Sequence, residues 1–117
     1  MNGYRSLLVW KKAIELAKEI YSVIKLLPKD ELFGLSSQLR RAAVSVPSNI
    51  AEGNGRSSKK DYIHFLNIAR ASVYEIETQL LLCVELSFFN EKQTAKAMDL
   101  CEEISKMLNS LIRSLSE

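Results

Sequence analysis

The sequence predicts an all-α fold, a single antiparallel up-down-up-down four-helix bundle spanning residues 1–117, and three observations carry that expectation. Apolar residues recur at spacings of three and four along most of the chain, the period of a helix buried on one face. Two prolines and four glycines are few interruptions for 117 residues. Two capping signatures, Ser58-Lys59-Lys60-Asp61 and Asn90-Glu91-Lys92-Gln93, each open a long apolar-periodic run after a short polar connection.

The first helix is expected from about Ser6 to Leu26, with Trp10, Ala13, Ile14, Ala17, Ile20, Tyr21, Ile24 and Leu27 on its apolar stripe. Trp10 should then be mostly buried. Lys11, Lys12, Lys18 and Lys25 lie off the stripe, and Pro28 ends the helix because the residue before proline disfavours helical dihedrals. A short turn follows at Lys29-Asp30-Glu31, Gly34 breaks it, and Ser36 is the expected N-cap of the second helix.

That helix buries Leu35, Leu39, Ala42, Ala43, Val46 and Ile50. Pro47, in its interior, removes a backbone hydrogen bond and clashes with the carbonyl of Ala43, so a kink is expected there. Gly53-Asn54-Gly55 is expected to stop the helix through a left-handed glycine. In the third helix Tyr62, Leu66, Ala69, Val73, Ile76, Leu80, Cys83 and Ser87 form a heptad seam. Thr94, Ala97, Cys101, Ile104, Leu108, Leu111 and Leu115 do the same in the fourth, and the short connection between the two makes them an antiparallel hairpin.

The second helix also carries polar residues in register. Gln38, Arg41, Ser45, Asn49 and Glu52 share a side next to the apolar stripe, which points to a surface that meets a neighbouring subunit or a ligand. Basic charge is concentrated nearby: Arg40, Arg41, Arg56, Lys59 and Lys60 face a single acid, Glu52, between residues 34 and 60. Such a cluster, with Lys11 and Lys12 adding from the first helix, suits the phosphates of RNA or DNA, the alternative being ion pairs in which Arg41 meets Glu52, Glu75 or Glu77 across helices or subunits. No aromatic side chain is interleaved with it, so any nucleic-acid binding should be to the backbone and weakly sequence-selective.

Other chemistry finds little support. His64 is the sole histidine, and Asp61 three residues before it does not make up the three or four ligands a metal site needs. Cys83 and Cys101 fall on the seams about 10 Å apart along the hairpin, beyond disulfide reach, so both are expected as buried free thiols. The Gly53-Asn54-Gly55-Arg56 loop lacks the ending and the preceding strand of a phosphate-binding loop. The apolar run Leu80 to Val84 is far shorter than the roughly 20 residues of a membrane span, and no signal peptide opens the chain; a cytoplasmic protein is expected.

The run Gln38-Leu39-Arg40-Arg41-Ala42-Ala43-Val44-Ser45-Val46-Pro47-Ser48-Asn49-Ile50-Ala51-Glu52-Gly53, followed by Arg56, resembles the signature of the four-helix bundle proteins encoded within intervening sequences of bacterial 23S ribosomal RNA genes. Leu8 to Ala13, Pro28 to Leu35 and Ala69 to Leu80 resemble the same family's opening, first turn and third helix. Val46 replaces the usual isoleucine, and Ala71 stands where a small residue, often glycine, is usual. The resemblance implies a ring-like homo-oligomer, a pentamer. Its relatives include an accessory protein of diversity-generating retroelements that acts with a reverse transcriptase and nucleic acid. The expected function is accordingly a non-enzymatic nucleic-acid-binding or accessory module without a cofactor, the alternative being an oligomeric protein-binding scaffold with no nucleic-acid role.

Overall fold

A computed structural model describes residues 3–117. Four long helices account for most of them: α1 (Leu8–Val23), α2 (Leu35–Asn54), α3 (Lys59–Glu85) and α4 (Glu91–Ser116). Short 3-10 turns precede α1 (Gly3–Ser6), extend it (Ile24–Leu26) and lead into α2 (Lys29–Glu31). Helices α1 and α2, α2 and α3, α3 and α4, and α1 and α4 pack side by side. The result is the expected up-down-up-down antiparallel bundle, about twice as long as it is wide at 43 × 22 × 21 Å.

The core is the meeting of four seams. Leu39, Ala42, Ala43, Val46 and Ile50 of α2 are buried, as are Leu66, Ala69, Val73, Ile76, Leu80 and Cys83 of α3 and Thr94, Ala97, Cys101, Ile104 and Leu108 of α4. In α1 half of the expected stripe is buried, Ala13 and Ile20 with Ile24 and Leu27 just beyond the helix, but the rest is not. The buried residues are Val9, Ala13, Leu16, Ile20 and Val23, while Ile14 and Tyr21 are exposed and Trp10 is half-buried, stacked edge-on to Tyr4 at 5.2 Å. Two apolar stripes run along this helix, and the bundle buries the one with strict four-three spacing, whose aliphatic side chains fit between neighbouring helices.

Helix ends are set by side chains. Ser58 Oγ accepts from the Asp61 amide at 3.1 Å to start α3, and Asn90 and Gln93 exchange hydrogen bonds of 2.8 and 2.9 Å to start α4. For α2 the expected cap is wrong: Ser36 lies buried inside the first turn, and the carboxylate of Glu31 accepts from the Leu35 amide at 3.2 Å instead. Nor is there a left-handed glycine at its end. Gly53 is inside the helix, and Gly55 caps it with φ −81°.

Gly53 is needed for closeness. A Cβ added there would lie 2.9 Å from Cβ of Phe65 and 3.0 Å from Cδ1 of Tyr62, so only a bare α-carbon lets α2 and α3 meet beside their connection. Asn54 reaches across the same spot, donating to the Tyr62 hydroxyl at 3.2 Å. Pro47 is buried within α2, facing Trp10 across the groove between α1 and α2.

Candidate functional site

The polar side of α2 faces α3. Gln38 and Ser45 are seven residues apart, and so are Ser72 and Gln79 on the antiparallel α3, so the two pairs come into register. Gln79 Nε2 donates to Gln38 Oε1 at 3.1 Å, and Ser72 Oγ donates to Ser45 Oγ at 2.8 Å. Asn49 turns back within its own helix, donating to the carbonyl and the hydroxyl of Ser45 at 2.8 and 2.9 Å. Glu52 joins neither pair; it binds Arg56 at 2.7 Å.

Between the paired amides and the paired hydroxyls a cleft of about 280 Å³ opens to solvent, lined by Gln38, Arg41, Ala42, Ser45, Ser72 and Glu75. Arg41 and Glu75 are exposed, and neither has an ion-pair partner among the described residues. Glu75 receives one long hydrogen bond, 3.4 Å, from Gln79 Nε2. Gln79 is 7% exposed, and its Oε1 is buried without a donor. Buried amides are normally paired at both ends, so the Gln79 amide beside the cleft is satisfied through its nitrogen alone.

The basic residues do not form one cluster. Arg40 and Arg41 both line the groove toward Tyr21 and Val44, and Arg41 also borders the cleft toward α3. Arg56 is some fifteen residues further on, or about 23 Å at 1.5 Å per residue. It is engaged there by Glu52 and by the ring of Phe65, 4.7 Å from its guanidinium carbon. Lys59 and Lys60 extend from that end of the bundle, exposed and without an acidic partner among the described residues. Lys12 does not add to the basic surface, because it pairs with Glu103 at 3.1 Å and Glu15 at 3.7 Å, and the hydrogen bond to Glu103 raises its pKa.

His64 is exposed, edge-on to Phe65, and no three metal-ligating side chains converge among the described residues. Cys83 and Cys101 are buried free thiols. Burial, reinforced by the charge of Glu31, pushes Cys83 up to about 11; burial, reinforced by Glu77, pushes Cys101 up to about 12. Neither is a poised nucleophile. No helix among the described residues is long and apolar enough to cross a membrane.

Reading α3 for its apolar seam alone misses Ser72 and Gln79, while Glu75, expected as a candidate partner of Arg41, does border the same cleft without an ion pair to it. The signal for Ser72 and Gln79 is the shared seven-residue spacing of polar residues on two helices expected to be antiparallel.

Comparison with known proteins gives a consistent picture. The family model of the 23S rRNA-intervening sequence protein matches residues 5–110. A crystal structure of a protein of unknown function from the S23 ribosomal protein family of Bacteroides thetaiotaomicron VPI-5482 superposes with a TM-score of 0.83 at 31% identity, covering 90% of this chain and 98% of that one. No curated protein matches the sequence.

Proposed function

Because the chain belongs to the 23S rRNA-intervening sequence protein family, we propose that it is a non-enzymatic accessory module that assembles with copies of itself and binds the backbone of RNA or DNA. The observation that carries this reading is the set Arg40, Arg41, Lys59 and Lys60: four cations on α2 and the start of α3, none of them paired with an acid among the described residues. Unpaired lysine and arginine on one segment neutralise phosphates at little desolvation cost. Their spread along α2 and its connection suits an extended strand better than a compact anion.

The test is electrophoretic mobility shift with structured RNA, duplex DNA and single strands at two salt concentrations. Replacing all four cations by glutamine should weaken binding to every sequence and flatten the salt slope by nearly one unit for each phosphate no longer neutralised. Wild-type protein that binds none of the probes at low salt overturns the nucleic-acid reading.

A second reading, an oligomeric protein-binding scaffold, draws on the apolar surface. Leu32 (49%), Phe33 (92%), Leu82 (46%) and Leu86 (48%) are exposed where α2 begins and α3 ends, and Ile14, Tyr21 and Val44 are exposed along the α1–α2 groove. Two separate apolar surfaces suit head-to-tail association of identical chains, the kind of contact that closes a ring such as the pentamer the family resemblance implies.

A further inference from the structure

We infer that the α2–α3 cleft is a recognition site for an unstacked guanine base, a reading that rests on the nucleic-acid function proposed above and narrows it to single-stranded or looped segments. A carboxylate beside phosphate-binding cations is counterproductive if only phosphates are bound. Glu75 repels them, and the 280 Å³ space it lines with Arg41 is large enough for a purine.

The donors and acceptors at the cleft select the base. Gln38 Oε1 is occupied by Gln79 Nε2, so the Gln38 amide nitrogen remains as a donor on the lining; Arg41 supplies guanidinium donors. Glu75 has no salt bridge among the described residues and one long hydrogen bond, so most of its acceptor capacity is free. The lining therefore offers donors beside a two-oxygen acceptor.

Guanine carries the complement on its Watson–Crick edge, an O6 acceptor followed by the N1–H and N2–H₂ donors. A carboxylate can accept from N1 and N2 together while an amide or guanidinium donates to O6. Adenine places its N1 acceptor against the carboxylate, and uracil has a single donor between two acceptors. Cytosine has acceptors, N3 and O2, where guanine has donors. The base is reached only when it is out of a duplex, since pairing consumes the same edge.

Two features hold the geometry. The 2.8 Å Ser72–Ser45 hydrogen bond holds one end of the cleft, and buried Gln79 holds the Gln38 amide at the other through its oxygen.

The experiment is calorimetric titration of the full-length protein with guanosine, inosine, adenosine and uridine 5′-monophosphates, followed by Glu75→Gln. Guanosine monophosphate should bind at least about tenfold tighter than the others, inosine suffering because it lacks the N2 amine. Glu75→Gln should remove that preference with the helix content unchanged. Gln38→Leu, which keeps the carboxylate but removes the amide donor, should weaken guanosine monophosphate without making adenosine monophosphate the better ligand.

Equal binding of all four, or no binding of any, overturns the site. Uridine oligonucleotides with and without one guanosine separate this outcome from failure of the backbone reading. Salt-sensitive binding of both without preference rejects the cleft and leaves the phosphate contacts standing. A guanosine monophosphate preference with no oligonucleotide binding does the reverse.

Discussion

The Ser72 hydroxyl donates to the Ser45 hydroxyl across 2.8 Å, from a position only 7% exposed, and Ser45 simultaneously accepts from Asn49. Two helices are thereby joined by a polar bond inside a mostly apolar interface. Ser45→Ala should cost about 1–3 kcal/mol, because it strands the Ser72 hydroxyl as well as removing a bond. The double variant Ser45→Ala/Ser72→Ala should be less destabilised than the sum of the two single changes. Denaturant unfolding of the four proteins closes the cycle; strict additivity would show that the bond contributes nothing.

Gly53→Ala should destabilise by about 1–3 kcal/mol, since the new methyl group falls 2.9 Å from Cβ of Phe65 and 3.1 Å from the Tyr62 carbonyl oxygen. Alanine is otherwise the better helix former. A variant as stable as the parent would mean that α2 and α3 separate here at no cost.

Glu77 is half-buried on α3, and burial, followed by the charge of Glu102, raises its pKa above the ordinary 4.5. The folded state therefore binds this proton more tightly than the unfolded state. Its contribution is fully present below the unfolded pKa and is lost as pH rises through the folded value. Glu77→Gln should accordingly raise the melting temperature at neutral pH, by a few degrees at most, and bring little gain below pH 4.5. Melting curves at the two pH values decide it, and a loss of stability at neutral pH would contradict the sign.

Both thiols should resist alkylation at neutral pH in the folded protein and react together on unfolding, since the reactive thiolate forms only far above neutrality, near pH 11 for Cys83 and 12 for Cys101. Mass spectrometry after a brief iodoacetamide pulse, with and without denaturant, reads this directly. Labelling of either cysteine without denaturant would place it at an opening surface.

Phe33→Ser should leave the stability of the single chain within about 0.5 kcal/mol while lowering the solution mass, if the exposed apolar end of the bundle is an interface between copies. Light scattering of both proteins measures it. An unchanged mass would leave that surface to another partner.

The bundle is legible in the sequence because its seams are regular. In α2, α3 and α4 the buried positions follow the spacing of the apolar residues, and the caps at Ser58 and Asn90 form as their residue types imply. In helix α1 size misleads: Trp10, Ile14 and Tyr21 outweigh Val9 and Leu16, although fit between neighbouring helices decides burial. The polar side of α2 is visible in the sequence, and Glu75 with it as a candidate partner of Arg41, but Ser72 and Gln79 are interpretable only once the register of α3 against α2 is known. The basic residues look like one cluster because sequence distance hides the length of a helix between Arg41 and Arg56.

The connections also bear on how the chain reaches this state. Residues 55–58 and 86–90 are all that separate α2 from α3 and α3 from α4, so these hairpins close with little loss of loop entropy. Contacts between α1 and α4 are different: Lys12 meets Glu103 and Glu19 meets Lys96 across most of the chain. Low contact order elsewhere favours collapse in microseconds to milliseconds, with α1 docking on α4 late. Weakening that seam should therefore quicken unfolding and leave the folding rate nearly untouched.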